Sequence, residues 1–160
     1  LLDAAARILS QVPPFALVFL GEGPLEGRLR ARATELGLTD RVRFLGFREE
    51  IAPLTAALAV ATLPSFFEGM GLVVVEALAS GVPVVASRGG GVVDVARAGA
   101  ILVPPGDPAA LGAALLGLLT DEARRAELGR AGRASIDRRF SAEGMAEAIG
   151  GVYREGLARE

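Results

Sequence analysis

Cysteine and histidine are both absent from the 160 residues. Their absence excludes disulfides, thiolate metal sites and catalysis by a Cys or His of this chain, and no zinc site is expected. Lysine is absent too, so all 17 basic residues are arginines; with 19 acidic residues they give a net charge of −2. The sequence therefore has no excess of positive charge of the kind that binds duplex nucleic acid or an anionic membrane, so neither partner is expected.

No uninterrupted apolar run approaches the about 18 residues of a membrane span, and no signal peptide is visible. Hydrophobic residues make up 51% and charged residues 22%, an ordinary globular balance. The length suits a single domain over residues 1–160. The chain opens at Leu1 without a methionine and with helical character, so we expect a domain that lacks its first strand.

Short apolar segments alternate with helical segments along the chain. Several apolar segments do not alternate with polar residues, which is typical of strands covered on both faces; the predicted strands are Phe15–Leu20, Arg41–Leu45, Leu58–Leu63, Val82–Ala86 and Ala100–Val103. The predicted helices are Leu25–Leu36, Glu49–Ala57, Gly71–Ser80, Val92–Ala98, Pro108–Leu119, Glu122–Arg139 and Ala142–Leu157, with caps at Asp107 and Ser141. The pattern predicts an α/β fold with a doubly wound parallel sheet and a helical C-terminal end.

Two glycine-rich loops follow predicted strands. Gly21-Glu22-Gly23-Pro24 leads from a strand into a helix, a geometry that brings backbone N–H groups close to an anion; with Gly27 it loosely matches the dinucleotide fingerprint. A tight turn without a ligand explains it equally well. Gly89-Gly90-Gly91 permits close approach of a ligand or of other backbone, and a flexible loop is the alternative.

The segment Leu63–Ala77 is the stronger site candidate. Glu68 lies in a turn beside two glycines, and Glu76 follows eight residues later in an otherwise apolar helix. A carboxylate on such a helix is expected either to be buried or to line a cleft, and it needs a partner because unpaired burial is costly. Sugar or ribose hydroxyls are suitable donors; an ion pair with Arg88 or Arg97 is the alternative.

This segment resembles the E-x7-E motif of the retaining, nucleotide-sugar-dependent glycosyltransferases of the GT-B fold, the glycosyl transferases group 1 family. The resemblance covers nearly the whole chain. Its other matching segments follow in order at Phe19–Pro24, Val42–Phe47, Ser80–Ala86, Gly89–Gly91 and Leu102–Pro108.

The resemblance implies the Rossmann-like, donor-binding half of such an enzyme, with UDP, GDP or ADP in the donor and no cofactor or metal. Glu68 would act catalytically beside the donor sugar, and Glu76 would hold the ribose. Backbone N–H groups around Gly71 would meet the diphosphate, and Phe47 would lie near the nucleobase. The full set of expected donor-binding residues is Gly21, Gly23, Phe47, Met70, Gly71, Leu72, Val73 and Glu76.

Two features that the family commonly carries are not found in this sequence. The first is a pair of residues, an Arg and a Lys, upstream of the first helix. The second is the N-terminal acceptor domain with its His. The resemblance therefore implies that this chain alone is inactive and that the acceptor domain is its partner. The nucleotide-sugar pool implies a cytoplasmic location, with any peripheral membrane attachment residing in the missing half.

The alternatives are a nicotinamide dinucleotide-binding domain of an oxidoreductase, a non-catalytic GT-B-like fragment and a GT-B epimerase. The dinucleotide alternative needs an acidic residue about 20 positions after the first glycine. Arg41, Val42 and Arg43 stand there instead, and this alternative leaves Glu68 and Glu76 unexplained.

Overall fold

The computed structural model describes residues 1–96, 98–136 and 140–157, which form an α/β fold of parallel strands and helices. The strands are β1 Leu17–Phe19, β2 Val42–Phe44, β3 Ala61–Leu63, β4 Val84–Ser87 and β5 Ala100–Val103. The helices are α1 Leu2–Ile8, α2 Glu26–Glu35, α3 Ile51–Ala56, α4 Leu72–Ala79, α5 Val92–Val95, α6 Pro108–Leu119, α7 Glu122–Ser135 and α8 Ala142–Leu157. The predicted fold class is confirmed.

The predicted bounds match the structure at β5, α6 and α8, and the other strands are shorter than predicted. Helices α2, α3 and α4 end one residue earlier than predicted, whereas α5 and α7 end several residues earlier. Helix α7 stops at Ser135 because Ile136 takes an extended conformation, with φ −79° and ψ 107°. Helix α5 stops at Val95 because Ala96 leaves the helical region, with ψ 78°. The remaining residues of these two predictions include 97 and 137–139, which lie outside the described residues.

The described strands form two parallel groups. One group pairs β1 with β2, with Leu17 opposite Val42, and the other has the order β3-β4-β5. Within the described residues, no hydrogen-bonded ladder joins β1 to β3. Helix α1 bridges the two groups, since it packs against both α6 and α2.

Strand β4 is the centre of the core, and all four of its residues are buried. Its side chains alternate between two layers: Val84 and Ala86 face the cluster that contains α4, whereas Val85 faces the cluster that contains α1 and α6. Covering both faces explains why the strand is apolar throughout. Full burial of a Val side chain, such as Val84 or Val85, stabilises the fold by about 1.5–3 kcal/mol.

An ion pair links α1 to α2. The Arg32 guanidinium donates a hydrogen bond to Asp3 Oδ1, and this bond holds the pKa of Asp3 below its ordinary value. Because the folded-state pKa of Asp3 is lower than its unfolded-state pKa, the ion pair's contribution to folding stability is present at neutral pH. It is lost as the pH falls through the folded-state pKa. Both side chains are about half exposed, so the contribution is small.

The helix caps predicted at Asp107 and Ser141 are confirmed. Asp107 Oδ1 accepts hydrogen bonds from the N–H groups of Ala109 and Ala110, both at 2.9 Å. Ser141 Oγ accepts one from the Gly144 N–H at 3.1 Å. These bonds satisfy N–H groups that the first turn of a helix otherwise leaves unpaired.

We expect Asp107→Ala to lower the free energy of unfolding by about 1 kcal/mol, because two N–H groups of α6 lose their acceptor. Urea denaturation of the chain measures this change. Asp40→Ala is the matched control, since Asp40 is exposed and makes no hydrogen bond or ion pair within the described part of the chain. Equal stability of the two variants would contradict the cap's role.

Candidate functional site

Glu68 lies in the connection between β3 and α4 and is held by two hydrogen bonds. Its side-chain Oε1 accepts a bond from Ser65 Oγ at 2.8 Å. Its main-chain carbonyl accepts a bond from the Gly91 N–H at 3.0 Å. The residue is half-buried. The structure therefore fixes both the backbone and one carboxylate oxygen of Glu68, and the connection is not a loose loop.

Helix α4 begins with an open N-terminus. Gly71 precedes it in the left-handed conformation, with φ 73°, and no side chain caps the helix. A Cβ at Gly71 would lie 3.1 Å from Val92 Cγ2, so both the backbone conformation and the available space favour glycine. Leu72 and Val73 are exposed, and the N–H groups of this first turn carry the positive end of the helix dipole.

Glu76 is exposed on the solvent-facing side of α4. It follows Leu72 by four residues and Val73 by three, so its side chain lies on the same helix face as theirs. The opposite face carries the buried residues of this helix, which are Val74, Val75, Ala77 and Leu78. This places a carboxylate one helical turn from the open N-terminus.

Of the two expectations for Glu76, burial or a place lining a cleft, burial is not observed. The apolar residues around it do not all face the core, because Leu72 and Val73 are exposed with it. Glu76 and Arg88 form no ion pair within the described residues. The other suggested partner, Arg97, lies outside them.

The loops that follow β1 and β2 meet each other. The Gly21 N–H donates to the Gly46 carbonyl at 2.9 Å in an antiparallel bridge. The Phe47 N–H donates to Glu22 Oε1 at 3.3 Å. The structure thus brings Gly21 and Phe47 together, and Phe47 is exposed. A Cβ at Gly23 would meet nothing within 4 Å, so packing does not explain that glycine.

The triple-glycine loop packs against the Glu68 turn. A Cβ at Gly90 would lie 1.9 Å from the Glu68 carbonyl oxygen, and one at Gly91 would lie 1.9 Å from that of Gly69. No side chain fits at either separation. Of the interpretations offered for these glycines, close approach of other backbone is the one observed.

The segment Phe66–Val73 exposes all five of its large apolar side chains. Phe66 is 80% exposed, Phe67 79%, Leu72 61%, Val73 50% and Met70 45%. Such a concentration is typical of a surface that binds a ligand or another protein.

A cavity of about 300 Å³ lies at the carboxyl ends of β3, β4 and β5. Its lining includes Ser87, Val103, Gly106 and Asp107, and it takes only Pro64 and Phe66 from the β3–α4 connection. None of the predicted site residues lines it. The candidate site is therefore an open surface rather than this cavity. The described residues contain no cluster of three or more acidic groups that could hold a metal.

Sequence reasoning missed two side chains that hold the site. Ser65 belongs to the motif, but the sequence alone does not show that its hydroxyl bonds the Glu68 carboxylate three residues later. The second side chain is that of Glu22, and no sequence signal indicates its bond with the Phe47 N–H.

The sequence profile of the glycosyl transferases group 1 family matches residues 1–135. The D-inositol 3-phosphate glycosyltransferase of Acidothermus cellulolyticus is 40% identical over 97% of this chain and 37% of its own length. The lipopolysaccharide core biosynthesis glycosyltransferase LpsE of Rhizobium meliloti is 33% identical over 92% of this chain and 43% of its own length.

Several solved structures also superpose on this chain. Sucrose-phosphate synthase from Thermosynechococcus elongatus superposes with a TM-score of 0.87 at 32% identity, over 99% of this chain and 43% of that protein. Anabaena HepE in complex with UDP superposes with a TM-score of 0.85 at 28% identity, over 95% of this chain and 44% of HepE. HepE has also been solved with UDP-glucose. The chain thus spans less than half the length of these proteins.

We expect Gly91→Ala to destabilise the chain by about 1–3 kcal/mol, because its Cβ would push the Gly69 carbonyl out of place. Gly69→Ala is the matched control from the same contact, since its Cβ would meet nothing within 4 Å, and its effect should stay within about 0.5 kcal/mol. Urea unfolding measures both variants. Similar stabilities would show that the two loops are not closely fitted.

Proposed function

Because the chain belongs to the glycosyl transferases group 1 family, we propose that it is the donor-binding domain of a glycosyltransferase. The enzyme transfers a sugar from a nucleoside-diphosphate sugar to an acceptor, with retention of anomeric configuration. One observation carries the proposal: the uncapped N-terminus of α4 has Glu76 one turn along the same face and Glu68 fixed in the turn that precedes it.

The N-terminus of α4 is the proposed diphosphate site. The N–H groups of Leu72 and Val73 are available to phosphate oxygens, and Gly71 keeps the approach free of a side chain. The helix dipole stabilises the negative charge that develops on the departing diphosphate. These groups supply the electrostatic stabilisation without a metal ion, and we expect none to be required.

Glu76 is proposed to accept hydrogen bonds from the ribose hydroxyls, since a carboxylate has two oxygens for two neighbouring hydroxyls. Glu68 is proposed to contact hydroxyls of the donor sugar near the reacting centre. Phe47 offers an exposed ring for the nucleobase, with Gly21 beside it and Gly23 further along the same loop; Met70 borders the diphosphate. The complexes of HepE with UDP and with UDP-glucose support a nucleotide-sugar donor.

The rest of the enzyme is proposed to lie in the length that this chain does not span. Strands β1 and β3 each keep one edge that no described strand pairs. A parallel strand between them would give the order 3-2-1-4-5-6 of a doubly wound sheet. An acceptor-binding domain would complete the active site. We expect the enzyme to act in the cytoplasm, because nucleotide sugars are supplied there. Separately, none of the described helices is long and apolar enough to cross a membrane.

We expect the full-length protein to bind one of UDP, GDP or ADP in titration calorimetry, and Glu76→Ala to weaken that binding about tenfold or more. The reason is the loss of charge-assisted hydrogen bonds to the ribose. Glu127→Ala is the control, because Glu127 is exposed on α7 and its side chain makes no hydrogen bond or ion pair within the described part of the chain. Preference for NAD, or unchanged binding in Glu76→Ala, would contradict the proposal.

A further inference from the structure

Ser65 and Glu68 form a hydrogen-bonded pair in the turn that follows β3. Ser65 Oγ donates to Glu68 Oε1 at 2.8 Å, and both residues are half-buried. Glu68 forms no ion pair within the described residues. The Ser65 hydroxyl is therefore the side-chain group that determines where the Glu68 carboxylate lies.

The backbone of Glu68 is fixed separately. Its carbonyl oxygen accepts the Gly91 N–H at 3.0 Å and lies 1.9 Å from where a Cβ of Gly90 would be. With the backbone held there, the Ser65 bond restricts the remaining freedom, which is the rotation of the Glu68 side chain. A glutamate that is ordered before its ligand arrives does not lose that rotamer freedom on binding, so its contact with the ligand is tighter.

We propose that Ser65 is a positioning residue for the donor sugar. It engages Oε1 of Glu68, which leaves Oε2 to accept hydrogen bonds from the sugar hydroxyls. Ser65 acts through Glu68 and does not contact the nucleotide. This inference rests on the proposed function, because it assigns the sugar to Glu68, but it concerns the sugar alone and not the nucleoside diphosphate.

The test compares ligands with and without the sugar on the full-length protein. Dissociation constants are measured for UDP and UDP-glucose, GDP and GDP-mannose, and ADP and ADP-glucose, with wild type, Ser65→Ala and Ser65→Thr. We expect Ser65→Ala to weaken the sugar nucleotide about tenfold and to leave the matching diphosphate within about twofold, because one ordering hydrogen bond to a charged group is lost. Ser65→Thr keeps a hydroxyl and should restore the sugar nucleotide's affinity.

A double-mutant cycle separates positioning from a structural role. In a Glu68→Ala background, adding Ser65→Ala should weaken the sugar nucleotide no further, since the group through which Ser65 acts is gone. Loss that persists in full in that background would overturn the proposal. So would equal weakening of diphosphate and sugar nucleotide, or no change in either.

The two proposals fail in different ways. If the wild-type protein binds none of the six ligands, the proposed function is contradicted and this inference falls with it. If the wild-type protein binds a diphosphate through Glu76 but Ser65→Ala behaves as wild type, only the role of Ser65 is contradicted.

Discussion

The candidate site depends on the contact between two backbone segments, the triple-glycine loop after β4 and the Glu68 turn after β3. The carbonyl oxygens of Glu68 and Gly69 lie 1.9 Å from where Cβ atoms of Gly90 and Gly91 would be. Only glycine allows this separation. The hydrogen bond from the Gly91 N–H to the Glu68 carbonyl joins the two segments. The contact uses backbone alone, so it fixes the turn while leaving the large apolar side chains of Phe66–Val73 exposed.

Helix α4 combines stability and the proposed chemistry on opposite faces. One face buries Val74, Val75, Ala77 and Leu78 against β3 and β4, which anchors the helix rigidly in the core. The other presents the free N–H groups of the first turn together with Glu76. Because the helix is held by its apolar face, the proposed anion-binding groups need no reorganisation when a ligand arrives, which is the condition for electrostatic stabilisation of a departing diphosphate.

Local sequence patterns predicted strand burial and helix starts, but they did not predict side-chain contacts that depend on the tertiary fold. The continuous apolar character of β4 indicated burial on both faces, and Asp107-Pro108 located the start of α6; both are confirmed. The sequence left open whether Glu76 is buried or exposed along a cleft, because an apolar helix does not show which of its apolar residues face solvent. The Ser65–Glu68 bond and the bond between the Phe47 N–H and Glu22 Oε1 depend on how the loops fold in space, which the sequence does not show.

Backbone amide chemical shifts of the full-length protein would show directly whether the N-terminus of α4 holds the diphosphate. They are followed by NMR while UDP, GDP and ADP are titrated in turn. We expect one of these nucleotides to shift the amides of Leu72 and Val73 most strongly, at the helix N-terminus that no side chain caps. Shifts confined to Ser87, Val103 and Gly106, around the cavity at the carboxyl ends of β3–β5, would contradict it.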